Sequence, residues 1–457
     1  MMDVDEPLDF ELEDSLLINP VVSKKRKKLM GLDELLTEHY KEQSKLIENE
    51  AKKQAKAQKS YDSDEDKNCK EAILANLLDD FQNQVKAISR EEEMSEWGLC
   101  VFGQQKATPT LSFPELGSWS ILQSFLNNEL NSLVGLTSEQ ECTFLEGLLK
   151  NGWLLILILK CGRVEKTIAM WTFSLMLYSP KEELRSSACE FWCAILSSKI
   201  QIGARPIEID WYPNYSELKS ALEIYGFLFN SLSSISADKC SGCKGPPQNI
   251  ITWIKFTTVY CRTRCKQSVL TSDCQELAEV TICLFLDRQL QGLSVLMRDC
   301  MQSVISSFTD EEWINSYSRI AKSIASRVPI DLNCLRAVQC LSGVDPRTKH
   351  LKSVVAFEIL VNCFDTKVAN EEGILSLLIS INVKERACDF FKLYIYVVLT
   401  ENWLRYDETF SEKPVIREMW GLFLRNCSCQ IGSTDLRPHA SKVRNKAAYL
   451  LQDIGSS

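Results

Sequence analysis

The chain has 457 residues, 45% hydrophobic and 25% charged, which is enough apolar material for a substantial core and enough length for two or three ordinary domains. That balance excludes a wholly disordered protein. The formal charge of −9 is uneven: residues 1–95 hold 15 Lys/Arg against 23 Asp/Glu, whereas residues 96–457 hold 37 against 38.

Two regions are therefore expected. Residues 1–95 read as an acidic/basic arm, largely disordered, with charged helices near 32–59 and 70–90. Its first stretch, Asp3 to Asp14, carries seven acids and no base, interleaved with Leu8, Phe10 and Leu12, a pattern shared by groove-binding peptides and solvated tails. Five consecutive cations follow: Lys24, Lys25, Arg26, Lys27 and Lys28. Electrostatics fits such a run to a nuclear-import receptor, to nucleic acid or to an anionic surface, and a solvated charge run is the plain alternative. With no lipid anchor or amphipathic face beside it, a nuclear-import signal is preferred.

Residues 32–59 are rich in Glu, Lys, Gln, Ala and Leu and lack Pro and Gly, which predicts an extended helix. Its apolar positions, among them Leu35 and Leu36, are too few for a core of their own and suit docking on a partner. Ser63, followed by Asp64, Glu65 and Asp66, is a candidate site for an acidophilic kinase. A second amphipathic helix carries Ile73, Leu74, Leu77, Leu78, Phe81 and Val85 on one stripe.

Beyond Trp97 the apolar residues recur at helical spacing. Trp313, Tyr317, Ile320, Ala321, Ile324 and Val328 form one face behind a capping box at Thr309 and Glu312. The same grammar predicts a helix over 180–198, with Ser179 as cap, Pro180 in the first turn and Glu182 closing the box. Further stripes run Leu218, Leu222, Tyr225, Phe229, Leu232 and Val383, Ala387, Phe390, Tyr394, Val397. No segment sustains a period of two, and the β-rich patch 200–209 is short and broken by Pro206. The expected fold of residues 96–457 is all-α, an irregular HEAT-like stack of antiparallel helix pairs. The longest purely apolar run, 153–159, is about 10 Å long as a helix against the ~30 Å of a bilayer core, so no membrane span is expected.

Of the 19 cysteines, 18 lie beyond residue 95, many inside apolar helical runs, as Cys189, Cys193, Cys283, Cys340 and Cys388 do. Such residues behave as small buried hydrophobes, and an odd total at irregular spacing suits free thiols in a reducing compartment. Cys240, Cys243, Cys261 and Cys265 make a C-x₂-C-x₁₇-C-x₃-C pattern, near the spacing of four-thiolate zinc sites. The second pair is C-x₃-C, and buried or loop thiols are the preferred reading, so no cofactor is expected. Only His350 and His439 lie beyond residue 95, and no phosphate-binding glycine loop, dinucleotide fingerprint, nucleophile elbow or H-E-x-x-H motif is present. Catalysis is therefore not expected. Arg262, Arg264 and Lys266, and Lys442, Arg444 and Lys446, could touch DNA phosphates, although a solvated helix surface is the preferred reading.

The order of parts resembles the CANIN family, the coiled-coil proteins that interact with a structural-maintenance-of-chromosomes (SMC) subunit and its non-SMC partner, as the SMC complex localization factor 2 proteins do. The resemblance rests on the basic tract at Lys24 to Lys28, on Leu32-Asp33-Glu34-Leu35-Leu36, and on Trp97-Gly98-Leu99-Cys100-Val101-Phe102-Gly103 opening a long helical domain. It implies a nuclear, non-catalytic scaffold that helps bring the five–six SMC complex to damaged or stalled DNA through protein contacts, with DNA contact indirect or weak. The best-known members carry a long disordered N-terminal arm, whereas this arm is short. Other expectations are a nuclear helical adaptor in transcription or RNA processing, or a zinc-stabilised module or enzyme.

Overall fold

The capping box spelled by Thr309 and Glu312 forms as written. Glu312 N–H donates to Thr309 Oγ1 at 3.3 Å and Thr309 N–H to Glu312 Oε2 at 2.9 Å, and the helix behind it spans Asp310–Arg327 with Trp313, Ile320, Ala321 and Ile324 buried. This grammar repeats through the computed structural model, which describes residues 97–111, 119, 138–198, 207–229, 245–263, 270–364, 370–407 and 409–456. All of them belong to one of two compact units, Gln82–Ser457.

The first helices are α1 (Ser138–Lys150), α2 (Trp153–Cys161), α3 (Lys166–Tyr178), α4 (Glu182–Ser198) and α5 (Tyr215–Ile224). Then come α6 (Ile250–Arg262), α7 (Thr271–Leu286), α8 (Ser294–Ser306), α9 (Asp310–Arg327) and α10 (Leu332–Cys340). The last are α11 (Pro346–Cys363), α12 (Glu371–Ser380), α13 (Phe390–Arg405), α14 (Pro414–Gln430) and α15 (Ala440–Ser456). Neighbours in sequence pair, as α3 with α4, α7 with α8 and α14 with α15 do. Helices two apart stack: α4 on α6 on α8, and α7 on α9 on α11 on α13 on α15. An amphipathic helix of this array buries its stripe against a sequence neighbour, a stacked neighbour or both, which is the packing logic of helical arrays. Among the described residues the strand content is one two-residue parallel ladder, β1 (Arg163–Val164) with β2 (Glu208–Ile209), and two isolated bridges. The fold is an irregular all-α stack.

An aromatic knot anchors the N-terminal end of the array. Phe173 on α3 meets Phe256 on α6 at 5.4 Å, Trp211 at 5.6 Å and Trp192 on α4 at 6.0 Å between ring centroids, mostly edge to face as aromatic quadrupoles prefer. Side chains from the end of α5 and the start of α6 satisfy the orphan carbonyls at the end of α3. Tyr225 OH donates to Leu177 O at 2.6 Å, Asn249 Nδ2 to the same oxygen at 2.7 Å, and Thr252 Oγ1 to Met176 O at 3.1 Å.

That arrangement corrects the expected start of the helix over 180–198. Ser179 closes α3 instead of capping α4, and α4 begins at Glu182. The buried Arg185 guanidinium donates to Ser179 O and Pro180 O and reaches Gln248 Oε1 at 2.8 Å. The 178–182 linker is therefore held as a bend, where a continued helix would leave Arg185 buried without these acceptors. The stripe expected from Leu218 to Leu232 ends early, because α5 stops at Ile224 and the chain reverses at Gly226; Leu232 lies outside the described residues. The stripe from Val383 also starts late. α13 begins at Phe390 behind Asp389, whose carboxylate accepts the N–H groups of Phe391 and Lys392. Val383 is buried in a turn and Ala387 is exposed. Arg437 holds that turn by donating to Val383 O at 2.9 Å and Glu385 O at 2.5 Å.

Candidate interaction surfaces

Residues 97–107 form an extended strap across the helices. Leu99 N–H donates to Leu286 O at 2.8 Å, Gly103 N–H to Gly226 O at 2.7 Å, and Lys106 N–H to Ile224 O at 2.8 Å; Val101 O accepts from Leu228 N–H at 2.9 Å. Two side chains receive further donors: Asn333 Oδ1 takes Gly98 N–H at 2.9 Å and Asp287 Oδ2 takes Val101 N–H at 3.2 Å. Val101 and Phe102 are buried, and the Arg336 guanidinium lies 4.0 Å over the Trp97 ring and 5.0 Å over Phe285, a stacked cation that a lysine would not reproduce.

One glycine in the strap and one facing it are steric requirements. Gly226 has φ of 84°, and a Cβ there would stand 2.7 Å from Gln104 O; Gly98, at φ 120°, would meet Arg288 Cβ at 2.8 Å. Neither position accepts an ordinary side chain without moving the strap. Trp97-Gly98-Leu99-Cys100-Val101-Phe102-Gly103 is thus a built-in component of the helical unit, linking α5, α7 and α10.

The apolar run 153–159 becomes α2, bounded by Gly152 and Gly162. Leu154 and Ile158 point inward at 1% and 0% exposure, while Trp153, Ile156 and Leu159 stand outward at 57%, 42% and 51%. Met170 on α3 is also exposed. A seven-residue apolar run must present both sides of a helix, so one side can be buried and the other remains outside. Scattered exposed apolar residues are ordinary, but a Trp, an Ile and a Leu along one helix face are the composition of a binding surface. Among the described residues no single helix is long and apolar enough to cross a membrane. The segments Glu141–Lys150 and Trp153–Cys161 meet that requirement only jointly, and they are bent by 80°.

The arm residues Lys24, Lys25, Arg26, Lys27, Lys28, Leu35, Leu36, Ser63, Leu77 and Leu78 lie outside the described residues, as do Cys240, Cys243 and Cys265 of the zinc pattern and Arg264 and Lys266. Cys261 is buried on α6, and no group of three or more potential ligands gathers among the described residues. Arg262 ion-pairs with Asp299 and donates to Ser303 Oγ at 3.0 Å. In the last helix Lys446 pairs with Glu401 at 2.7 Å and Arg444 donates to Gly432 O at 3.0 Å, while Lys442 is exposed. Two of those three cations therefore serve internal contacts. His350 packs against Tyr317 at 4.6 Å and His439 against Phe391 at 5.2 Å between ring centroids. The two rings sit on different parts of the array.

The outward face of α2 escaped sequence reasoning, although its signal was present in seven consecutive apolar residues on a segment too short to span a bilayer. No family model and no curated protein matches the chain.

Proposed function

We propose that this chain is a non-catalytic nuclear adaptor that binds the five–six SMC complex, through one of its subunits or a loader partner, and helps localise or load it on DNA in genome maintenance. The observation that carries the adaptor reading is the outward apolar face of α2, mounted by the buried Leu154 and Ile158 on the helical array. A fixed scaffold with exposed aromatic and aliphatic anchors loses little conformational freedom on docking, which favours binding of a preformed helical surface. The choice of partner rests on the resemblance to the CANIN family. Leu35, Leu36, Leu77 and Leu78 add contact from the arm, since an amphipathic helix laid in a groove buries a face that has no core of its own.

The test is affinity purification of the tagged full-length chain from nuclear extract at low salt, beside a form lacking residues 31–95. The full-length chain recovers SMC-complex components, and the truncated form recovers less of them while keeping its helical circular-dichroism signal. Recovery of transcription or RNA-processing assemblies with no SMC-complex component would replace this reading with the other adaptor class.

A further inference from the structure

The cleft between α4, α6 and α8 holds a pair of thiols that the adaptor reading does not use. Cys189 and Cys193 lie one turn apart on α4, so both project to the same side. Their sulfurs are 3.9 Å apart, and the one Cys189 S–H, which donates to Thr252 O at 3.7 Å, can turn to the Cys193 sulfur instead. Cys189 is buried, whereas Cys193 is partly exposed toward a cleft of about 280 Å³. The charged groups facing it come from all three walls: Glu190 on α4, Lys255 and Arg262 on α6, and Asp299 on α8.

We propose that Cys193 is a thiol-exchange site that takes up a small zwitterionic disulfide of the glutathione disulfide type as a mixed disulfide. The Cys193 thiolate attacks one sulfur, the S–S bond of the small disulfide breaks, a new bond forms between Cys193 Sγ and that sulfur, and the other half leaves as a thiolate that takes a proton from water. Carboxylates of the incoming group match Lys255, and its ammonium group matches Glu190, while Arg262 and Asp299 pair with each other at the cleft's far wall. The hydrogen bond from Cys189 lowers the Cys193 thiol below the ordinary thiol range, with Lys255 assisting against burial and Glu190. Cys189 moves the other way, pushed up by its bond to Cys193 and by burial. It remains a thiol and acts as a positioning donor.

The adduct is durable because of helix geometry. Residues four apart on a helix hold their Cβ atoms roughly 5–6 Å apart, whereas a disulfide needs about 3.5–4.5 Å. Release of the adduct by Cys189 would distort α4, so an external thiol removes it.

Cys161 and Cys429 are exposed elsewhere in the chain and serve as internal references. The full-length protein is incubated with glutathione disulfide or with the neutral 2-hydroxyethyl disulfide, and each cysteine is followed by peptide mass spectrometry across pH. Cys193 should react severalfold faster than Cys161 and Cys429 at neutral pH, with a lower midpoint pH. Cys189→Ala should erase that lead, and Cys189→Ser, which keeps a donor, should retain part of it. Lys255→Met should slow the reaction with glutathione disulfide more than that with the neutral reagent. Cys193 reacting no faster than the two references overturns the site, equal effects of Lys255→Met on both reagents overturn the zwitterion preference, and a Cys189–Cys193 disulfide as main product overturns the durable adduct.

Discussion

Asp287 shows how a single carboxylate joins the strap to the array. Its Oδ2 accepts Val101 N–H, its Oδ1 accepts Gln289 N–H at 2.8 Å, and it stands at the junction of α7 and the 3-10 turn Arg288–Leu293. Burial pushes its carboxyl above the usual range, against the pull of the N–H groups of Gln289, Val101 and Leu290. Its contribution from titration is therefore fully present below the unfolded pKa and declines as pH rises through the folded value. Replacing Asp287 by Ala leaves the buried Val101 N–H without its acceptor, and the expected loss is about 1–3 kcal/mol in urea unfolding at neutral pH. An unchanged midpoint would mean that the strap is not part of the cooperative unit. Asp435 has the opposite sign. The hydrogen bond from Arg437 depresses its carboxyl, with further help from the Arg437 backbone N–H and against burial. Its stabilisation is present above the unfolded pKa and is lost as pH falls through the folded one. The urea midpoint of the natural chain should thus fall more steeply on acidification below about pH 4 than that of Asp435→Asn, and parallel profiles would contradict the assignment.

At the scale of elements, what was legible in the sequence was what depends on neighbours in the chain. The Thr309–Glu312 box is decided within four residues, and it forms. The Ser179–Glu182 pair has the same spacing and does not close a box, because Ser179 N–H goes to Leu175 O at 3.0 Å and its Oγ accepts Lys181 N–H at 3.2 Å. The stripe beginning at Val383 has helical spacing, yet Arg437, 54 residues away, pins Val383 into a turn. Tertiary hydrogen bonds therefore set the helix boundaries that local pattern could not. The strap was visible as a glycine-bearing motif but not as an extended segment, since its partners Asn333 and Asp287 lie 235 and 186 residues away. The thiol cleft shows the same limit: the spacing of Cys189 and Cys193 is written on α4 and reads equally well as core, and only the fold brings Lys255 and Asp299 to face them.

At the scale of the molecule, the proposed adaptor needs an address and a surface that carries its partner. Neutral replacement of Lys24 to Lys28 in a tagged 52.1 kDa chain should move the protein from nucleus to cytoplasm, and unchanged nuclear fluorescence would refute the import assignment. The helical unit is expected to fold without that tract, since its core among the described residues runs from Leu99 to Leu450. Adaptor function then depends on which surface carries the partner. The measurement that tests this most directly is recovery of SMC-complex components by the full-length chain with Trp153, Ile156 and Leu159 all replaced by Ser. These side chains are more than two-fifths exposed, so thermal melting and the helical signal should stay close to those of the natural chain. Because buried aromatic and aliphatic anchors supply most of the energy at such interfaces, recovery should fall by roughly a hundredfold or more, corresponding to about 3 kcal/mol of lost binding. Undiminished recovery by the folded variant would contradict the account.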